Sequence, residues 1–166
     1  MSVVINQNRL PCTRHYIFLY IHFHTFTGII MSHHGPWYYI KSMHSGYVLD
    51  IQGAEDGANI IQYTPGGGDN QLWQLNGNSI VSRSGLALDV EGAATESGTN
   101  AIGWTHSHGA ENQSWRIEGD KIISTLNGLC LDIQDGSTDE SAAIILYEPV
   151  YGGVNNQSWQ FVAYDG

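Results

Sequence analysis

The chain has 166 residues, a formal net charge of −10, and 13% charged residues beside 20 glycines, 9 tyrosines and 5 tryptophans. That length holds one domain with its own core, and no run of 20 apolar residues offers a membrane-spanning helix. Past residue 30, sixteen acidic residues stand against four basic ones, and a surface so acidic repels phosphate backbones and excludes nucleic acid as a ligand.

Residues 1–30 read as a non-conforming N-terminal extension. They carry Arg9, Arg14 and the apolar stretch Ile17–His24. Three readings stand: an extension upstream of a start at Met31, a targeting segment, or a structured arm. A basic start before an apolar stretch suits a signal peptide, but His22 and His24 interrupt it and no small-x-small cleavage site follows. The two cysteines, Cys12 and Cys130, match neither a metal motif nor a disulfide framework. Cys130 reads as a small buried hydrophobe. A cytoplasmic location is favoured on that ground, and a secreted one follows if the head is a signal peptide.

From Pro36 the chain becomes regular, and residues 31–166 read as the domain. Trp37–Ile40 is a predicted strand, Ser45-Gly46 a turn, and Tyr47–Ile51 the returning strand. Asn59–Tyr63 is the third strand and Gln71–Leu75 the fourth, with a loop at Gly66-Gly67-Gly68 between them. Asn76-Gly77 signals a two-residue hairpin with both central residues at positive φ. The second unit gives Ser79–Arg83, Leu86–Val90, Asn100–Trp104 and Ser114–Ile117. The third gives Lys121–Thr125, Leu129–Ile133, Ala143–Tyr147 and Ser158–Val162. Twelve short strands in three groups of four, at about 36–75, 76–117 and 118–162, with no helical period, predict a closed all-β structure.

Three phrases keep time through these units. Asn70-Gln71-Leu72-Trp73 returns as Asn112-Gln113-Ser114-Trp115 and as Asn156-Gln157-Ser158-Trp159, the tryptophans 42 and 44 residues apart. Half a repeat upstream stand Leu49-Asp50-Ile51, Leu88-Asp89-Val90 and Leu131-Asp132-Ile133. Between them an aromatic closes each third strand: Tyr63, Trp104 and Tyr147. Self-similarity at a fixed period means three copies of one unit.

With these phrases in register, the chain resembles the ricin B-chain type (R-type) lectin domain over about Pro36–Val162. Its lack of paired cysteines is closer to small single-domain members of that family. The resemblance implies a β-trefoil with pseudo-three-fold symmetry in which Trp73, Trp115 and Trp159 fill the core. It also implies carbohydrate binding by Asp50, Asp89 and Asp132, by the platforms Tyr63, Trp104 and Tyr147, by Asn70, Asn112 and Asn156, and by the backbone N–H of Gly53, Gly92 and Asp135. Asp135 stands where the other repeats have glycine, so its side chain crowds or recharges that site.

The residues support the same chemistry on their own terms. An Asp in an apolar strand is disfavoured, and a buried unpaired carboxylate is costly. Each Asp therefore either anchors a loop at a strand end or accepts hydrogen bonds from sugar hydroxyls. An aromatic plane covers the C–H face of a sugar ring, and an Asn amide both donates and accepts. Gln71, Gln113 and Gln157 are expected to bond local backbone behind the site. Unequal loops between aromatic and Asn, of six, seven and eight residues, predict three sites of unequal affinity.

The expected partners are glycans of glycoproteins or glycolipids carrying galactose or N-acetylgalactosamine, and a homodimer is compatible with such a domain. No cofactor and no metal is expected. His106-x-His108 and His33-His34 lack the four-ligand pattern of a structural zinc site. Three symmetry-related aspartates do not make the paired carboxylates of a glycosidase, so no enzyme is predicted. The alternative is a β-trefoil that binds proteins through its loops, such as a protease inhibitor.

Overall fold

The computed structural model describes residues 36–153 and 155–166. The predicted extension, with Cys12 and the His33-His34 pair, lies outside the described residues. Twelve strands appear among those described, four to a repeat. The first repeat holds β1 (Tyr38–Ser42), β2 (Val48–Ile51), β3 (Ala58–Tyr63) and β4 (Trp73–Asn76). The second holds β5 (Ser79–Ser82), β6 (Leu86–Val90), β7 (Ala101–Thr105) and β8 (Trp115–Glu118). The third holds β9 (Lys121–Ser124), β10 (Cys130–Ile133), β11 (Ile144–Tyr147) and β12 (Trp159–Ala163).

The outer strands of the repeats close a six-stranded barrel. β1 pairs with β12 and β4, β4 with β5, and β8 with β9. The two remaining seams are carried by Trp115 N–H donating to Asn78 O and Trp159 N–H donating to Asp120 O, each at 2.8 Å. Closure leaves no open edge in the barrel to be templated by another chain. The inner strands form three hairpins, β2–β3, β6–β7 and β10–β11. These meet around the pseudo-three-fold axis through Asn59↔Ile102, Asn100↔Ile145 and Ile61↔Ala143. This is the β-trefoil arrangement.

Alternation does the packing. Ile40, Leu49, Ile51, Trp73, Leu88, Val90, Trp115, Leu131, Ile133 and Trp159 converge in one buried cluster. Each core indole donates Nε1–H to the carbonyl of the Leu that precedes the site aspartate: Trp73 to Leu49 at 3.2 Å, Trp115 to Leu88 at 3.0 Å, Trp159 to Leu131 at 3.1 Å. A buried tryptophan removes about 200 Å² from water, roughly 5 kcal/mol as an upper figure. The same ring thus fills the barrel and fixes the strand that presents the carboxylate. Cys130 is buried, and burial pushes its thiol up to about 12, so it behaves as an apolar side chain.

Two local expectations are corrected. Gln71 does not open a strand: it lies in a 3₁₀ turn at Asp69–Gln71, and the strand begins at Trp73. The first hairpin loop is Gly77-Asn78 rather than Asn76-Gly77. Asn76 still pairs with Ser79, and of these residues only Gly77 has positive φ, at 61°.

Each inner hairpin loop docks on the next repeat in rotation. Gly57 N–H donates to Gly103 O, Gly98 N–H to Leu146 O, and Ser141 N–H to Gln62 O, at 2.7–2.9 Å. The three hairpins are thereby held apart at equal places around the axis, one site to each.

Candidate functional site

Each site is built where a Leu-Asp phrase meets an Asn-Gln-x-Trp phrase. The strand register sets Asp50 opposite Ile61, Asp89 opposite Ile102 and Asp132 opposite Ile145. Two residues further along the same strands, Tyr63, Trp104 and Tyr147 point outward with 40%, 44% and 47% exposure. Residues two apart in a strand point to the same face, so each ring stands on the face that carries the carboxylate, opposite the core-facing Leu and Ile or Val that flank each Asp.

The glutamines are the keystones. Gln71 Nε2 donates to Asp50 Oδ2 at 2.7 Å and to Thr64 O at 2.9 Å, while its Oε1 accepts from Gly66 N at 2.6 Å. Gln113 bonds Asp89 Oδ2, Thr105 O and Ser107 N at 2.8, 3.0 and 2.8 Å. Gln157 bonds Asp132 Oδ2, Glu148 O and Val150 N at 2.8, 2.9 and 2.7 Å. Each amide therefore clamps the residues one and three places after the aromatic, whatever the loop length. The extra residues of the second and third loops are inserted beyond the clamp, so the aromatic is held alike in all three. The expected backbone contact is present; the bond to Asp, which sequence reasoning missed, sits beside it.

The asparagines hold the other carboxylate oxygen. Asn70 Nδ2 donates to Asp50 Oδ1 at 2.9 Å and to Ile51 O at 3.1 Å. Asn156 Nδ2 donates to Asp132 Oδ1 at 2.7 Å and to Ile133 O at 3.0 Å. Asn112 Nδ2 lies 2.9 Å from both oxygens of Asp89. These donors are thus engaged inside the protein. Each Asp anchors a loop, and Asp89 and Asp132 also line a concavity. Of a carboxylate's roughly four acceptor positions, internal donors meet two on Asp50 and Asp132, and Asp89 receives three such contacts.

Burial lifts the pKa of Asp50, Asp89 and Asp132 above the ordinary 3.8, and the Gln and Asn hydrogen bonds pull it back in part. Asp56 adds to the rise at Asp89, and Asp135 adds to it at Asp132.

The backbone donors differ between repeats. Gly92 lies at φ 61°, ψ 14° and Asp135 at φ 58°, ψ 14°, within matching 3₁₀ turns Glu91–Ala93 and Gln134–Gly136. Gly53 lies at φ 137°, and its N–H donates to Ile51 O at 2.9 Å. The first repeat therefore departs in backbone, the third only in side chain. Asp89, Gly92, Ala93, Ile102, Trp104 and Asn112 line an open concavity of about 300 Å³. Asp132, Asp135, Gly136, Ile145, Tyr147 and Asn156 line one of about 230 Å³. Both sit at or below the lower end of drug-sized pockets, a scale that suits one sugar ring.

The histidine pair behaves as a loop contact. His106 and His108 meet edge-on at 4.7 Å between ring centroids. Among the described residues no group of three or more His, Cys, Asp or Glu is placed to hold a metal, and no helix is long and apolar enough to cross a membrane.

Residues 36–159 match the family model described as ricin-type beta-trefoil lectin domain. A search of curated proteins returned no match. Among solved structures, the designed 3-fold symmetric protein ThreeFoil is 40% identical, with 76% of this chain and 97% of that one covered and a TM-score of 0.68. The earthworm R-type lectin C-half, solved in complex with GalNAc, is 25% identical over 78% of this chain and 100% of its own, with a TM-score of 0.65. A ricin B-like lectin of Macrolepiota procera, solved with lactose, is 25% identical over 77% and 95%, with a TM-score of 0.65.

Proposed function

The chain belongs to the ricin-type β-trefoil lectin domain family, and from that premise we propose that it binds galactose- and N-acetylgalactosamine-type glycans, without covalent chemistry, at up to three sites. The binding unit is the domain of residues 31–166. The observation that carries this reading is the threefold recurrence of one constellation. A carboxylate held by Gln and Asn stands beside an exposed aromatic in all three repeats, and lines a shallow concavity in the second and third.

The chemistry follows from what each group has left to offer. Asp50, Asp89 and Asp132 accept from adjacent sugar hydroxyls. Charge-assisted bonds of this kind are stronger than neutral ones. Tyr63, Trp104 and Tyr147 cover the apolar C–H face of the ring. Asn70, Asn112 and Asn156 add a carbonyl acceptor, and the N–H groups of Gly92 and Asp135 add donors. At the first site the Gly53 N–H is already bonded to Ile51 O, so that site has one donor fewer. The related lectins solved with GalNAc and with lactose favour a galactose-type ligand.

One stack and a few solvent-exposed hydrogen bonds give ~4–5 kcal/mol per site, which is millimolar or somewhat tighter. Useful strength comes from several sites engaging one glycan-bearing surface, with cross-linking as the consequence. Calorimetric titration of the chain with lactose, N-acetylgalactosamine and glucose tests the proposal. Heat with the first two and little with glucose supports it. Heat with none of them, and none across a glycan array, refutes it.

A further inference from the structure

The three sites are not chemically equal, and the difference concentrates on one residue. Gly92 and Asp135 share φ and ψ to within three degrees and occupy matching 3₁₀ turns. Their backbones present the same path, so the third site differs from the second at this position by a side chain alone. At Gly92 an added Cβ meets nothing within 4 Å. At position 135 the carboxylate occupies that open ground. It lines the third concavity together with Asp132, Tyr147 and Asn156.

We propose that Asp135 makes the third site charge-selective: it favours a cationic hexosamine, a sugar with a free protonated amine, and disfavours uronates and other acidic sugars relative to the first two sites. This rests on the sugar-binding reading above and deepens it. The aromatic platform and the Asp–Asn pair bring the ring into the concavity. Asp135 then adds a second negative charge within a space of about 230 Å³. A compact space of that volume is narrower than the screening length of about 8 Å at physiological salt. The charge is therefore felt wherever on the ring the amine or carboxylate sits.

The surroundings do not cancel it. Lys41, Arg83, Arg116 and Lys121 are the basic residues of the described chain, and none lines this concavity. His44 Nε2 lies 3.0 Å from Gly136 O, on the backbone next to Asp135. It shares the loop, so every comparison below is made at a single pH. The second site has an acidic neighbour as well, Asp56, but Asp56 is tied to Thr105 Oγ1 at 2.9 Å and does not line the concavity. Burial and the Asp135 charge together hold Asp132 above the ordinary carboxylate range, which agrees with two carboxylates sharing one small site.

The test is a site-resolved NMR titration of the full chain with galactose, 2-amino-2-deoxygalactose and galacturonate. It is run at one slightly acid pH, where the sugar amine is protonated. The backbone amides of Gly53, Gly92 and Asp135 report the three sites. The amino sugar should gain about two- to fivefold over galactose at the third site relative to the other two, the range of an exposed charge pair. Galacturonate should lose by a similar factor, and both effects should fade as salt rises. Asp135→Asn, which keeps the shape and tolerates the left-handed backbone, and Asp135→Gly should each erase the difference. Gly92→Asp should transplant it to the second site. Equal amino-sugar ratios at all three sites, or a preference that survives Asp135→Asn, overturns the inference while neutral galactose still binds. Absence of galactose shifts at every site overturns the sugar-binding reading and this inference with it.

Discussion

Replacing Gln113 by Leu asks most of the structure. Gln113 is 1% exposed and makes three hydrogen bonds: to Asp89 Oδ2, to Thr105 O and from Ser107 N. Leu keeps the bulk and removes all three. Thr105 ends β7 and Ser107 lies in the loop after it, both exposed, so water reaches their freed groups and each costs about 1 kcal/mol, the low end for a lost partner. The Asp89 oxygen is buried and charged, and losing its donor costs about 2 kcal/mol even with Asn112 in place. Burial of the Leu methyl groups returns about 1 kcal/mol, leaving a net loss of about 3 kcal/mol. For a domain of this size that lowers Tm by about 10 °C. Thermal unfolding followed by near-UV circular dichroism measures the shift, and sugar titration should show the second site gone. A Tm within about 2 °C of the parent, with second-site binding intact, would refute the keystone role. Gln113→Glu gives a signed control. It sets a second carboxylate against Asp89, so the pair holds a proton that the unfolded chain releases. Its stability deficit should therefore shrink as pH falls.

Three further outcomes follow from the same geometry. Burial raises the folded-state pKa of Asp50, Asp89 and Asp132 above 3.8, so in the window between 3.8 and the raised values the native state binds more protons than the unfolded chain. Protonation there removes the acceptors, so sugar binding should fall as pH drops through that window. These three groups then favour the fold rather than opposing it; loss of binding only together with unfolding would contradict this. Trp104→Ala should weaken second-site binding about fivefold with little change in Tm, because the ring is 44% exposed, whereas Trp115→Ala should cost about 3–5 kcal/mol of stability. Gly103→Ala should destabilise by about 1–3 kcal/mol, since its Cβ would lie 3.0 Å from Ile51 Cγ2 and 3.2 Å from Leu86 Cδ1, as read from denaturant midpoints.

Much of this was legible because the chain repeats itself. The spacing of Trp73, Trp115 and Trp159 marked the three units, and the strands followed from period-two patterning. What escaped was three-dimensional. The sequence marks Asp135 as the odd member of its trio, yet its backbone matches that of Gly92. Gly53, with the matching residue type, takes another path. A glycine permits several conformations and so names none of them. The bond from Gln to Asp was also hidden, because the partners stand 21 to 25 residues apart and meet only when the barrel closes. The signal was present in the two phrases keeping step, but only the register says which atoms touch. The Gly77-Asn78 turn was misplaced by one residue for a similar reason: strand pairing decided where the loop began.

Sugar binding at up to three sites on one scaffold is proposed to centre on Asp50, Asp89 and Asp132. The most direct test is the number of lactose molecules bound per chain at saturation, by equilibrium dialysis, for Asp50→Asn, Asp89→Asn and Asp132→Asn singly, in pairs and together. Asn preserves shape, and the neighbouring Asn amide can turn to meet it, so thermal unfolding should show each variant folded. Each substitution at an occupied site should remove one bound sugar, and the triple variant should bind none. A triple variant that still binds lactose, or three single variants that all lose nothing, would contradict this reading.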